Sequence, residues 1–164
     1  MKSIKKLIIP LIFIVCLLSA CSTHNIIQDN TDKNNTTTEN NIIVENMTIN
    51  IPTRFEEKAE NSYYDSNSQE SLNIYVSERY FDSIEKEVED IFNYVDASNV
   101  NTTYEKLNGY DVAITEWDGY NKNGWELKHR TYDFFVDNKI YEITFANAEG
   151  NYSDKEIINT ISFN

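Results

Sequence analysis

Three groups of side chains in this chain of 164 residues have types and spacings that suit them to chemistry. Trp117, Tyr120 and Trp125 cluster around Asn121-Lys122-Asn123-Gly124. Large aromatics at a turn can stack on a sugar ring or anchor a partner, since such residues dominate interface hot spots. The competing reading packs the same rings over the face of a sheet, where aromatic cross-strand pairs are stabilising. The second group is Lys128-His129-Arg130. On a strand, Lys128 and Arg130 share one face and His129 takes the other. An anion site on Lys128 and Arg130 therefore competes with cross-strand pairing to Glu116 or Glu142. The third is Cys21, which closes Leu18-Ser19-Ala20-Cys21.

Other chemistry finds little support. The sequence holds no His-x-x-x-His pair, no Gly-x-Ser-x-Gly elbow and no phosphate-cradling glycine loop. Asp118-Gly119-Tyr120-Asn121-Lys122-Asn123-Gly124 offers oxygens but lacks the acidic spacing and closing Glu of a calcium loop. Glu56-Glu57 and the acids of Glu85-Lys86-Glu87-Val88-Glu89-Asp90 read as solvated surface. No metal and no cofactor are expected, and the reading is of a protein that is not an enzyme. Paired carboxylates distant in the chain, as used in glycoside hydrolysis, are the one catalytic alternative that sequence leaves open.

The N-terminal stretch explains Cys21. Lys2, Lys5 and Lys6 make a positive region and Leu7 to Leu18 an apolar one, followed by small residues at Ser19 and Ala20. That order is the secretory-signal pattern. The apolar run falls short of the about 20 residues that a spanning helix needs. Leu18-Ser19-Ala20-Cys21 resembles the bacterial lipobox. The resemblance implies that the Cys21 thiol receives a diacylglyceryl group and that cleavage precedes it. Two acyl chains hold a protein stably on a membrane where one does not. The expected location is the extracytoplasmic face of a bacterial membrane, with the membrane engaged through the lipid on Cys21.

The formal net charge of the whole chain is −13, from 14 basic and 27 acidic residues. Loss of the three leader lysines makes the remainder more acidic still. Nucleic acid is disfavoured, because its phosphates demand Lys and Arg. Cys16 leaves with residues 1–20 and Cys21 is alkylated, so no thiol remains for a disulfide or a nucleophile. Residues 21–42 are rich in Asn, Thr, Asp and Gln and read as the lipidated cysteine and a disordered polar linker.

Residues 43–164 read as a single domain. Met47, Ile49 and Ile51 alternate with Thr48 and Asn50 up to Pro52, a half-buried strand, with Phe55 as a plug behind it. Asn61 to Asp65 reads as a strand, Ser66 to Gln69 as a turn, and Leu72, Ile74 and Val76 as the inner face of a third strand. Asp82 with Glu85 marks a helix start, followed by an apolar stripe at Ile84, Val88, Ile91, Phe92 and Val95. Thr102–Leu107 and Tyr110–Trp117 meet across Asn108-Gly109, the strongest hairpin signal in the chain. Trp125–Val136 and Lys139–Ala146 extend the meander. Ser153 with Glu156 then opens a last helix carrying Ile157, Ile158 and Ile161.

This order makes the domain α+β: a mostly antiparallel sheet of about six to seven strands flanked by two helices. It resembles the PsbP-like fold, named for the extrinsic photosystem protein and shared by many small bacterial lipoproteins. The resemblance rests on Ile49-Asn50-Ile51-Pro52 with Phe55, on Leu72-Asn73-Ile74-Tyr75-Val76 and on Leu107-Asn108-Gly109-Tyr110. Lys139-Ile140-Tyr141-Glu142-Ile143-Thr144-Phe145 and the closing Ile158-Asn159-Thr160-Ile161-Ser162-Phe163 complete it. It implies a sandwich and a non-enzymatic accessory role. The photosynthetic members assist a metal cluster, but none of their binding residues matches a position here. The sequence thus leads to a membrane-anchored binding or accessory module of the cell envelope, with an envelope protein or glycan as partner. A paired-carboxylate envelope hydrolase and a purely structural spacer are the alternatives.

Overall fold

The structure is a computed structural model and describes residues 39–164. The Leu18–Cys21 motif and residues 22–38 of the expected linker lie outside the described residues. Among the described residues, ten strands form two antiparallel sheets. The small sheet has the order β1 (Glu39–Val44), β2 (Met47–Pro52), β10 (Ser162–Phe163). The large sheet contains β3 (Glu56–Ala59), β4 (Ser62–Asp65), β5 (Glu70–Glu78), β6 (Ser98–Leu107), β7 (Tyr110–Tyr120), β8 (Glu126–Val136) and β9 (Lys139–Asn147). Its order is β3-β4-β5-β9-β8-β7-β6, so the β6–β9 meander stays contiguous and β5 joins it on the β9 edge. Helices α1 (Ile84–Phe92) and α2 (Asp154–Ile158) complete the fold.

Alternation decides which side chains meet. Met47, Ile49 and Ile51 of β2 point to the large sheet and pack with Leu72, Ile74, Phe134, Tyr141, Ile143 and Phe145. Ile157, Ile158 and Ile161 join this core from α2 and the segment after it. Each fully buried side chain of this size contributes roughly 1.5–3 kcal/mol. Phe163 of β10 closes one end, its ring lying 4.8 Å from Tyr141 and 4.7 Å from Tyr110. The opposite face of the large sheet receives α1, where Val88 packs with Ala113, Phe135 and Ile140, and Ile84 and Phe92 flank them.

The α+β expectation is met, with seven strands in the large sheet and two helices. Three strands exceed it. β1 begins at Glu39, inside the segment assigned to the linker, and Ile42 packs against the core. Its Asn40 and Asn41 pair with Ile51 and Asn50 through the backbone, which needs no apolar side chain. β3 is entirely exposed and β10 has two residues, so neither carries an alternating pattern.

The helix starts also differ. Ser83, not Asp82, precedes α1, and its hydroxyl reaches Glu85 Oε2 at 2.5 Å instead of a backbone amide. Asp82 uses its carbonyl to accept from the Arg79 guanidinium at 2.6 Å. Val95 falls beyond the end of α1. Ser153 makes no cap bond either. Its N–H and hydroxyl donate to buried Glu70 at 2.9 and 2.8 Å, tying α2 to β5. Glu87 is buried, against the expectation of a solvated acidic face, and accepts the Tyr80 and Phe81 amides. The Asn108-Gly109 turn forms as expected, with φ of 54° and 90°. Both values lie in the left-handed region that a type I′ hairpin needs.

Candidate functional site

The antiparallel registers align side chains in rows across the α1 face of the large sheet. One row runs Tyr104, Ala113, Asp133, Glu142, Tyr75. The next runs Thr102, Thr115, Thr131, Thr144, Asn73. Helix α1 covers the β7–β8 part of these rows. Over β5, at the β4 side, Tyr75 is 50% exposed and Tyr64 36% exposed. Asn73 is exposed there too, and its Oδ1 accepts the Ser62 hydroxyl at 2.7 Å.

The threonines are connected. Trp117 Nε1 donates to Thr131 Oγ1 at 3.1 Å, Thr131 and Thr144 hydroxyls lie 3.0 Å apart, and Thr144 donates to Glu142 Oε1 at 3.1 Å. A hydroxyl has a single proton, and Thr144 gives its own to Glu142. Thr131 must therefore donate to Thr144, and the chain runs in one direction from indole to carboxylate.

Asp133 is wholly buried and neither of its carboxyl oxygens has a hydrogen-bond partner. Burial pushes its carboxyl well above the ordinary range, and the Glu142 charge opposite adds to this. Burial likewise raises Glu142, while the Thr144 hydroxyl pulls it back. Two carboxyls so placed favour a protonated member, because like charges facing each other in a poorly solvated site repel.

The expected aromatic cluster divides. Trp117 is half-buried on the α1 face. Its ring stacks on His129 with centroids 3.8 Å apart and meets the edge of Phe92 at 5.7 Å. Gly119 makes this possible, since a Cβ there would lie 2.6 Å from the indole. Burial lowers the pKa of His129 and its Nδ1 has no partner. Tyr120 and Trp125 are instead 64% and 70% exposed at the β7–β8 tip. Asn121 staples that tip: its Oδ1 accepts the Asn123 and Trp125 amides at 2.9 and 3.0 Å, and its N–H donates to Trp125 O at 2.9 Å.

The basic pair also has assigned partners. Arg130 donates to Glu116 at 2.5 Å and to Asp154 at 2.6 Å, and its guanidinium stands 5.0 Å from the Tyr152 ring centre. These carboxylates raise the Arg130 pKa against the effect of its burial. Two carboxylates on one guanidinium leave the locus negative, which disfavours an anion. Lys128 faces Asp118 at 3.6 Å. Glu116 is thus the cross-strand partner, and Glu142 lies on the other face. Asp154, brought from α2, also accepts the Tyr132 hydroxyl. No local pattern marks it in the sequence.

Two of the clefts among the described residues are shallow. One lies between the start of α1 and β6–β7, lined by Ile84, Glu85, Tyr104, Lys106 and Asp111. The other lies beside Arg130 and residues 150–156. Neither is lined by Asp133 or Glu142. No group of three His, Cys, Asp or Glu side chains is placed to hold a metal ion among the described residues.

No protein-family model matches the chain, and no curated protein matches it by sequence. Its fold does have likenesses among solved structures. A protein from Bacteroides thetaiotaomicron aligns over 73% of this chain at 15% identity and a TM-score of 0.51. The match spans 45% of that longer protein. The solution structure of cyanobacterial PsbP (CyanoP) from Synechocystis aligns over 79% of this chain and 94% of its own, at 12% identity and a TM-score of 0.54. Identities this low speak for architecture alone, and the architecture is the one to which element order pointed: an α+β domain of PsbP-like fold.

Proposed function

We propose that the chain is a membrane-anchored, extracytoplasmic lipoprotein, acting as a non-enzymatic binding or accessory module of the cell envelope. Leu18-Ser19-Ala20-Cys21 supports the anchor, and the PsbP-like fold fits an accessory role. The observation that carries the binding half is the uncovered β4–β5 side of the α1 face. There Tyr64, Asn73 and Tyr75 stand exposed beside Glu142. Aromatic rings flanked by fixed hydrogen-bonding groups suit an envelope protein or glycan, and they sit on rigid strands that need little ordering to bind.

The test is a photo-reactive residue placed at Tyr75 in the full chain, in cells, with Tyr94 at the far end of α1 as control site. One defined envelope partner cross-linked from position 75, absent from position 94 and lost in Cys21→Ala, supports the module. Identical products from both sites would sink it and favour a spacer.

The paired-carboxylate hydrolase has one observation in its favour, the facing Asp133 and Glu142 with their raised pKa values. It ranks second because Asp133 is sealed beneath α1 and neither described cleft reaches the pair. Peptidoglycan turnover by the full chain, abolished in Glu142→Gln, would reverse that ranking.

A further inference from the structure

The β7–β8 tip projects the two most exposed aromatic residues of the meander, Tyr120 and Trp125. Lys122 sits at the apex of the tip, and the nearest carboxylates in sequence are Asp118 and Glu126 at its base. Tyr120 and Trp125 rise from a turn that Asn121 holds by three hydrogen bonds. Rings of this kind, apolar in body and polar at the N–H or O–H, are enriched where hydrocarbon meets head groups.

The route of the chain points the same way. Glu39 pairs with Pro52. Just beyond Pro52, Arg54 pairs with Asp65, whose strand neighbours lead through Glu70, Ser71 and Ala146 to His129 and Trp117. The other end of β2 lies at Phe163, Tyr110 and Tyr141, and Glu45 pairs with Lys139 there. The described chain therefore begins at the end of the sandwich that carries the β7–β8 tip, not at the end with the Asn108-Gly109 turn. Residues 22–38 lead from Glu39 back to Cys21 and reach at most about 60 Å.

We propose that the Tyr120–Trp125 tip is a second membrane contact, seated in the head-group zone of the bilayer that holds the lipid on Cys21. The inference rests on the anchor proposed above. One aromatic hairpin adds to two acyl chains without spanning, and it fixes which end of the domain faces the membrane. The α1 face, standing along the strands, then lies side-on to the bilayer and open to partners.

The chain has two tryptophans, which makes the test direct. The full chain is produced in bacteria fed radiolabelled palmitate, and the product is reconstituted in phosphatidylethanolamine–phosphatidylglycerol vesicles with or without acyl-chain-brominated lipid. In Trp117→Phe, the remaining Trp125 emission is expected to shift to the blue and to lose most of its intensity to bromine. In Trp125→Phe, the packed Trp117 should be unaffected by bromine, and this variant decides the matter against wild type if Trp117→Phe does not fold. Palmitate on Cys21 with Trp125 still quenched by aqueous iodide and untouched by bromine would overturn the second contact alone. No palmitate on Cys21 would overturn the anchor and the inference with it.

Discussion

The indole N–H of Trp117 and the carboxylate of Glu142 terminate a single hydrogen-bond chain, carried by the hydroxyls of Thr131 and Thr144 across three strands. Thr131→Val keeps the shape and removes the link. It strands the indole N–H, so a loss of about 1–2 kcal/mol is expected in urea unfolding. Thr144→Val removes the hydroxyl that holds Glu142 down, so the Glu142 carboxyl should titrate at still higher pH. Carbon-detected NMR titration of the side chain measures this, and an unmoved titration curve would refute the directed chain.

The facing pair Asp133 and Glu142 gives the fold a pH dependence of defined sign. Burial raises both carboxyls, so the folded chain retains protons that the unfolded chain releases near about pH 4. Their effect on stability is most favourable in acid and declines as pH rises through the folded-state values. Asp133→Asn should flatten that decline, because a neutral amide has no proton to lose there. His129 has the opposite slope. Its lowered pKa favours the neutral ring, so its contribution is complete above about pH 6.5 and is lost as pH falls toward the folded value. Urea midpoints across this range separate the two.

Arg130 holds α2 against the meander. Arg130→Ala leaves Asp154, whose side chain is 4% exposed, without its counter-charge. A loss of about 3 kcal/mol is expected, in the lower part of the range for breaking a buried pair, because Tyr132 still donates to Asp154. Arg130→Lys should recover only part of this, since one ammonium does not reproduce the fork that reaches Glu116 and Asp154 together. An Arg130→Lys urea midpoint equal to wild type would contradict this account.

The two tryptophans should behave as opposites in stability. Trp117→Ala removes a ring packed on His129 and Phe92 and should cost about 3 kcal/mol. Gly119→Ala, whose Cβ collides with that ring, should cost about 1–3 kcal/mol. Trp125→Ala, at an exposed tip, should change stability by less than about 0.5 kcal/mol. Thermal unfolding of the three variants checks the order.

Much of this fold was legible in the sequence because period-two alternation is written in single residues. Met47, Ile49 and Ile51, or Tyr141, Ile143 and Phe145, name their own buried face. The Asn108-Gly109 turn is equally local. What the sequence concealed depends on partners. The Glu39-Asn40-Asn41 start of β1 and the whole of β3 are held through the backbone, with side chains that resemble those of a loop. Ser83 and Ser153 have capping chemistry but turn their hydroxyls to Glu85 and Glu70. Trp117 and Trp125 flank the same turn, yet one lies under α1 and the other in solvent, a distinction set by the path of a helix about 30 residues earlier. Of the site, the turn at Asn121–Gly124 was legible, but which of its flanking rings packs on His129 and Phe92 was not. The Asp133–Glu142 pair was not, because only the β8–β9 register places these two residues opposite each other.

The pairing of β10 with β2 brings Phe163 beside Met47, almost the whole length of the domain away in sequence. Closing so long a loop is slow compared with zipping the β6–β9 meander, whose contacts are local. The core under Met47, Tyr110 and Tyr141 therefore stays open until Ser162 and Phe163 have joined β2. A nascent chain in which Ser162 and Phe163 have not yet been added lacks this finishing strand, so folding stalls one step short of completion. Trimming even Ser162-Phe163-Asn164 should then leave a product that collapses without locking.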